Sequence, residues 1–264
     1  MPEPTRIISW NIRAGGGQHA TGILAQLRAW QPNIIGLSEF RGTAASRWLA
    51  AQLAQAGFSF QLTSVNPDSP ARNGLLLASR YPLQSIAVPA MPTNPERWIL
   101  VRIETRPSLT LGLMHVPNYT TPTLKYPYLE SVLAMVDAWD NGPALLVGDT
   151  NCGKRGIDEE KPSPPKFQRE HDWIVGLERR GWVDAFRHMY GDCREYTWYS
   201  HRNNGFRLDY AFCSPHLAPA IAHVQHAWGY DSRKPHRRDA LSDHAALIVD
   251  LECRKIRPSS GSFI

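Results

Sequence analysis

Five short polar clusters carry the side-chain types that chemistry on a phosphate ester would use: Trp10-Asn11, Ser38-Glu39, Gly148-Asp149-Thr150-Asn151, Arg207-Leu208-Asp209-Tyr210 and Ser242-Asp243-His244. Carboxylate and amide oxygens are hard ligands suited to Mg²⁺ or Mn²⁺. A carboxylate or imidazole can orient or deprotonate water, while amides and a cationic imidazole can donate to charge that develops on phosphoryl oxygens. Any one of these acids alone reads best as solvated surface. The argument lies in their combination.

Each cluster sits at or just past the end of an apolar run, where sheet scaffolds place their sites. Residues 6–11 read as a buried strand that ends before Gly15-Gly16-Gly17. Ile23, Leu24, Leu27 and Trp30 then mark one face of a helix that Pro32 stops. Residues 33–37 form a second strand that delivers Ser38 and Glu39, and 43–56 a second helix. From Phe58 the pattern shifts to short runs at 58–64, 73–79, 97–104 and 109–116, joined as hairpins. A helix bearing Leu129, Val132, Leu133, Val136 and Trp139 leads to the strand 144–147 that ends at Gly148-Asp149. A Pro- and Lys-rich loop over 152–167, a helix over 168–180 and strands at 207–213 and 244–252 complete the chain. No linker divides it, so the expectation is one domain over 1–264, with a core of about 5–252 and a short tail from 253 to 264. The mixture of βα units and hairpins predicts an α/β fold: a four-layer sandwich of two packed mixed sheets flanked by helices.

The 264 residues are 42% hydrophobic, enough for a substantial core. The opening MPEPTRIISW has no signal-peptide pattern, and no apolar segment approaches the roughly 20 residues of a membrane span, so a cytoplasmic protein without a membrane partner is expected. Cys152, Cys193, Cys213 and Cys253 lack zinc-site spacing and read as reduced thiols. The net charge of +5 favours encounter with a polyanion. No feature calls for an obligate protein partner, and a monomer is expected.

The five motifs occur in the order that resembles the endonuclease/exonuclease/phosphatase (DNase I-like) superfamily, over Ser9 to His244. Within it, the segment 181–214 (GWVDAFRHMYGDCREYTWYSHRNNGFRLDYAFCS) looks most like the exonuclease III and apurinic/apyrimidinic endonuclease branch. The resemblance implies a divalent-metal-dependent nuclease acting on DNA, with Mg²⁺ or Mn²⁺ as cofactor. It implies that Glu39 is the principal metal ligand with Asn11 beside it, and that Asp243 is an auxiliary metal or leaving-group residue. Asp149 resembles the residue that activates water, Asn151 a donor to phosphate, and His244 the phosphate-contacting histidine oriented by Asp209. Asn118, Trp198, Phe206, Leu208 and Arg237 are the candidates for holding substrate. The three apolar ones align with a pocket for a flipped sugar, with core packing an equal alternative. The basic loop 233–238 around Arg237, with Lys154, Arg155, Lys161 and Lys166, could grip phosphates or be a solvated surface.

Two departures stand out. The second motif reads LSEFR, whereas the exonuclease III branch carries a Gln before the Glu and Thr-Lys after it. His115, in MHVPNY, occupies the place of a branch-typical Tyr; DNase I-like and sphingomyelinase-like branches have a His nearby. His115 could protonate the leaving oxygen or bind phosphate. The alternatives to an exonuclease III-like enzyme are a nonspecific DNase I-like endonuclease, a phosphodiesterase or phosphatase on lipid or small-molecule substrates, and a catalytically silent binding module.

Overall fold

The computed structural model describes residues 4–88, 91–139, 142–162, 164 and 167–256; Lys166 and the tail residues 257–264 lie outside the described residues. The chain opens with β1 (Thr5–Asn11), α1 (Ala20–Trp30), β2 (Ile34–Phe40) and α2 (Ala44–Gln55). In α1 the buried positions are Ala20, Ile23, Leu24 and Leu27, one face of the helix. The helix closes on Gln31 in the left-handed region, just ahead of Pro32. The Thr43 side chain caps α2 by accepting from the Ser46 amide. Hairpin strands follow: β3 (Phe60–Thr63), β4 (Gly74–Ser79), β5 (Leu83–Ser85), β6 (Trp98–Ile103) and β7 (Leu109–His115). Then come α3 (Pro122–Asp137), β8 (Ala144–Asp149), α4 (Gln168–Arg179), β9 (Val183–Asp184) and α5 (Ala185–Tyr190). The chain ends with a ribbon of β10 (Trp198–Tyr199) and β11 (Gly205–Phe206), then β12 (Asp209–Cys213), β13 (Ile221–Ala227) and β14 (Ala246–Leu251).

Two six-stranded mixed sheets result, ordered β13-β14-β1-β2-β4-β3 and β5-β6-β7-β8-β12-β9. Leucine, isoleucine and valine from both inner faces, among them Ile7, Leu77, Leu111, Leu113, Val147 and Val249, form the apolar layer between the sheets. Leu24, Leu27, Leu49 and Leu53 of α1 and α2 cover the outer face of the first sheet, and α3 and α4 cover the second with Leu129, Val132, Ile174 and Leu177. Each such side chain, fully buried, contributes roughly 1.5–3 kcal/mol. This is the four-layer sandwich that the sequence predicts.

The parallel pairs β1/β2 and β7/β8 lie at the centre of their sheets, while the other pairings are antiparallel. The carboxyl ends of β1, β2, β7 and β8 therefore meet the start of β12 and the residues leading into β14. That end of the sandwich collects all five motifs. β7 and β8 approach so closely there that a Cβ on Gly148, at φ 151°, would stand 1.8 Å from the Met114 carbonyl oxygen. Only glycine fits immediately before Asp149.

Candidate functional site

Asp149 ends β8, and its neighbours across the ladder are His115 on β7 and Asp209 on β12, both in register with it. A strand places successive side chains on opposite faces, so this register brings the three side chains to the same face at the same level. The carboxylate is buried. Its Oδ1 accepts from the Asn151 amide at 3.0 Å and its Oδ2 from Asn11 Nδ2 at 2.9 Å. Two imidazoles flank that same Oδ2, His115 Nε2 and His244 Nε2, each at 3.7 Å. Burial raises the pKa of Asp149 and Asp209 adds to the rise, with His244, His115 and Asn11 opposing it. A carboxylate held this way suits a general base.

The two histidines differ in charge. Burial pushes His115 down to about 3, with Arg97 also disfavouring its cationic form and Asp149 opposing both. For His244 burial also works against the charge, but Asp149 and Asp209 outweigh it and hold the group at about 10. Asp209 Oδ2 lies 3.0 Å from His244 Nδ1, which fixes the ring and leaves Nε2 toward Asp149. Asp209 is itself placed by its backbone, since the Thr197 hydroxyl accepts from the Leu208 and Asp209 amides. The Trp10 indole donates to the His244 carbonyl at 2.9 Å and the Ser242 hydroxyl to the Asn11 carbonyl at 2.5 Å. The serine and tryptophan of the outer motifs thus tie the loop before β14 to β1.

Glu39 reaches the site through a β-bulge. The β2/β4 register shifts between Ser38 and Phe40, and Glu39 takes φ 56°, left-handed for a residue with a Cβ. Its Oε2 accepts from the Ala14 amide at 2.7 Å, which also pins the loop after β1. Asn151 is left-handed too, at φ 47°. Its Nδ2 donates to the Val116 carbonyl at 2.9 Å, which leaves a second amide hydrogen for another acceptor.

A cavity of about 530 Å³ opens over these groups. Asn11, Glu39, His115, Asp149, Asn151 and His244 line it. Asp243 and Asn118 add to its rim, and Trp198, Phe206 and Leu208 form an apolar wall. Trp198 and Phe206 are partly exposed and their rings lie 6.1 Å apart, so they face the cavity rather than filling the core. Asp209 stands behind His244, outside the lining. Arg237 is not brought to the cavity: it is exposed and its Nε donates to Asp239 at 2.6 Å. Of the loop cations, Lys154 and Arg155 do line the cavity, with Lys154 also paired to Glu178 at 3.0 Å.

The oxygen-only set of Glu39, Asn11 and Asp243 fits a hard divalent ion. Asp149, Asp209 and His244 also offer ligand atoms within 4.8 Å of one another. In that group His244 already engages Asp209 through Nδ1.

Sequence reasoning missed the residues around the motifs. Arg97 lines the cavity and lies 3.1 Å from His115 Nδ1. Lys125, buried in α3, donates to the Asn151 carbonyl at 2.7 Å and pairs with buried Glu170 at 3.4 Å. In the sequence Arg97 opens the run 97–104 and Lys125 interrupts an amphipathic helix, so both read as ordinary surface charge. A lysine where the helix's apolar stripe should continue was the one signal available.

The model of the Endonuclease/Exonuclease/phosphatase family matches residues 8–244. An exodeoxyribonuclease of Streptococcus pneumoniae is 34% identical over 123 residues, 42% of this chain and 42% of that protein. Recombination repair protein 1 of Drosophila melanogaster is 34% identical over 96 residues, 32% of this chain and 14% of that protein. The chain thus aligns with less than half the length of these curated relatives. Among solved structures, the 3′ phosphatase NExo from Neisseria, bound to product DNA hairpin, superposes with a TM-score of 0.74 at 22% identity, covering 94% of this chain and 99% of that one. An AP endonuclease from Archaeoglobus fulgidus gives 0.72 at 20% identity, with the same coverages. With its motifs gathered at one end of a two-sheet sandwich and the family's match running through them, the chain belongs to the endonuclease/exonuclease/phosphatase family.

Proposed function

We propose that this protein is a Mg²⁺- or Mn²⁺-dependent DNA nuclease of the exonuclease III type. The observation that carries the reading is Asp149: a buried carboxylate between a neutral and a cationic imidazole, at the floor of an open cavity. Asp149 takes the proton of the attacking water, the water oxygen bonds to phosphorus, and the P–O bond to the leaving group breaks, the departing oxygen taking a proton from solvent. His244, held cationic by Asp149 and Asp209, and the free amide hydrogen of Asn151 donate to the phosphoryl oxygens as charge builds. Glu39, Asn11 and Asp243 would hold the metal ion, which supplies Lewis-acid stabilisation of that charge when bound.

Three features favour DNA as substrate: the net charge of +5, Lys154 and Arg155 on the cavity wall, and the exodeoxyribonuclease likeness. Trp198, Phe206 and Leu208 are read as the receptor for the sugar or base next to the scissile bond. The reading includes a single-domain monomer in the cytoplasm, and the free thiols of Cys152, Cys193 and Cys213 suit a reducing compartment. Among the described residues no helix is long and apolar enough to cross a membrane.

The test is a side-by-side assay on abasic duplex, 3′-recessed duplex, supercoiled plasmid and phospholipid, with wild type and Asp149→Asn. Cleavage of the recessed or abasic duplex that Asp149→Asn abolishes is the expected result. Turnover of phospholipid alone, or no turnover of any of the four in excess Mg²⁺ or Mn²⁺, overturns the reading.

A further inference from the structure

Arg97 stands immediately before β6, whose Trp98 pairs with Met114 on β7, so its side chain lies alongside His115. It is anchored from the other side as well: the hydroxyl of buried Tyr128 on α3 donates to the Arg97 carbonyl at 3.0 Å. From that position Nη1 reaches His115 Nδ1 at 3.1 Å and the His115 carbonyl at 3.4 Å.

A guanidinium has N–H groups and no lone pair to offer, and it stays protonated in proteins. The atom it faces must therefore be an acceptor. An imidazole nitrogen accepts only when it carries no hydrogen, so Nδ1 is bare and the single ring proton sits on Nε2. The other neutral tautomer would set N–H against N–H, and the imidazolium would add a cation against a cation. Nε2 is the atom that lies 3.7 Å from Asp149 Oδ2 in the cavity floor.

We infer that Arg97 is a positioning residue that locks His115 as the neutral Nε2–H tautomer, making it a fixed hydrogen-bond donor to the phosphoryl group beside Asp149 and not a general acid. A neutral imidazole that gave up its Nε2 proton would become an imidazolate, which neutral water does not sustain. His115 therefore donates without transferring. The depressed basicity of its buried ring agrees with this.

The inference concerns the site described under the proposed function, and its first test needs no substrate. Nitrogen-15 spectra of the imidazole rings in the full-length, metal-free protein at pH 7 are expected to show His115 with a bare Nδ1 and a protonated Nε2. Arg97→Met should release that tautomer preference, and Arg97→Lys, whose ammonium is also donor only, should restore it. An Nδ1–H tautomer or an imidazolium in wild type overturns the lock, whether or not the protein cleaves DNA. The second test uses the cleaved substrate. His115→Phe is expected to lower kcat by about 10²-fold, the order of losing one preorganised donor, with little change in KM. His115→Gln, which can donate but cannot act as an acid, is expected to recover most of it. If Gln is as inactive as Phe in folded protein, the donor role fails.

Discussion

The side-chain amide of Asn11 donates to the carboxylate of Asp149 at 2.9 Å, and that hydrogen bond crosses from the first sheet to the second. It occupies the oxygen that also faces both imidazoles, so it sets where the Asp149 lone pairs point. Asn11→Ala should lower kcat for DNA cleavage by about 10-fold or more while leaving KM little changed. Because the amide bonds the carboxylate, the double variant with Asp149→Asn should lose less than the product of the two single losses, the remainder being the share of Asn11 in holding the metal. Additive losses in steady-state kinetics would show that Asn11 acts through the metal and not through its bond to Asp149.

His244 holds its charge through Asp149 and Asp209, and pH reports on that. Its pKa rises from the ordinary 6.5 to about 10 in the folded protein, against the cost of burial. A raised value means that the stabilisation is complete below about 6.5 and is lost as pH climbs toward 10. Denaturant melts should show stability falling across that interval in wild type. In Asp209→Asn the fall should shrink and the His244 ring titrate at lower pH, with kcat reduced by roughly 10²- to 10⁴-fold, as when a histidine loses its orienting carboxylate.

The metal ligands proposed above are Glu39, Asn11 and Asp243. Chelator should abolish cleavage and added Mg²⁺ or Mn²⁺ restore it. Glu39→Gln should raise the metal concentration for half-activity by at least the roughly 10- to 100-fold that losing a lesser, outer-sphere contact costs. An unchanged metal titration in that variant would move the ion away from β2.

Beneath the site, Arg207 is fully buried between two carboxylates, with Nε to Asp158 at 2.8 Å and Nη2 to Asp184 at 2.6 Å. Asp158 also accepts from the Tyr210 hydroxyl at 2.5 Å and from Arg187. Burial alone would raise the Asp158 pKa, but Arg207, Tyr210 and Arg187 hold it below the ordinary 3.8. Its contribution is therefore present above about 3.8 and lost as pH falls through the depressed value. Asp158→Asn should destabilise the protein at pH 7 by about 3–5 kcal/mol, since it breaks a buried pair, and should flatten the acid limb of the stability curve. Urea melts at pH 3, 5 and 7 would measure both.

The sandwich and the five motifs were legible in the sequence because each motif sets polar, ligand-type side chains at or beside an apolar run. Asp149 and Asp209 could be read as site residues, but their adjacency is a property of antiparallel register that no local pattern carries. The ribbon of β10 and β11 is too short for alternation to appear, and β13 hides its buried Ile221, Val224 and His226 behind polar neighbours. The six-residue α5 carried a readable start, Asp184, whose side chain caps the Phe186 and Arg187 amides, but too few residues for a periodic face. Arg97 was invisible for a different reason: its importance comes from what stands across the strand pair.

The seam between the sheets has a kinetic consequence. Asn11 and Glu39 come from one sheet and His115, Asp149 and Asp209 from the other. Neither sheet owns a complete reaction centre, so a folding intermediate in which both sheets have formed but not yet docked would be silent. Recovery of cleavage after dilution from denaturant should then lag behind recovery of far-ultraviolet dichroism and behind burial of Trp10, which packs against Trp30 of α1 on the outer face of the first sheet. Turnover becomes a clock for the last act of assembly.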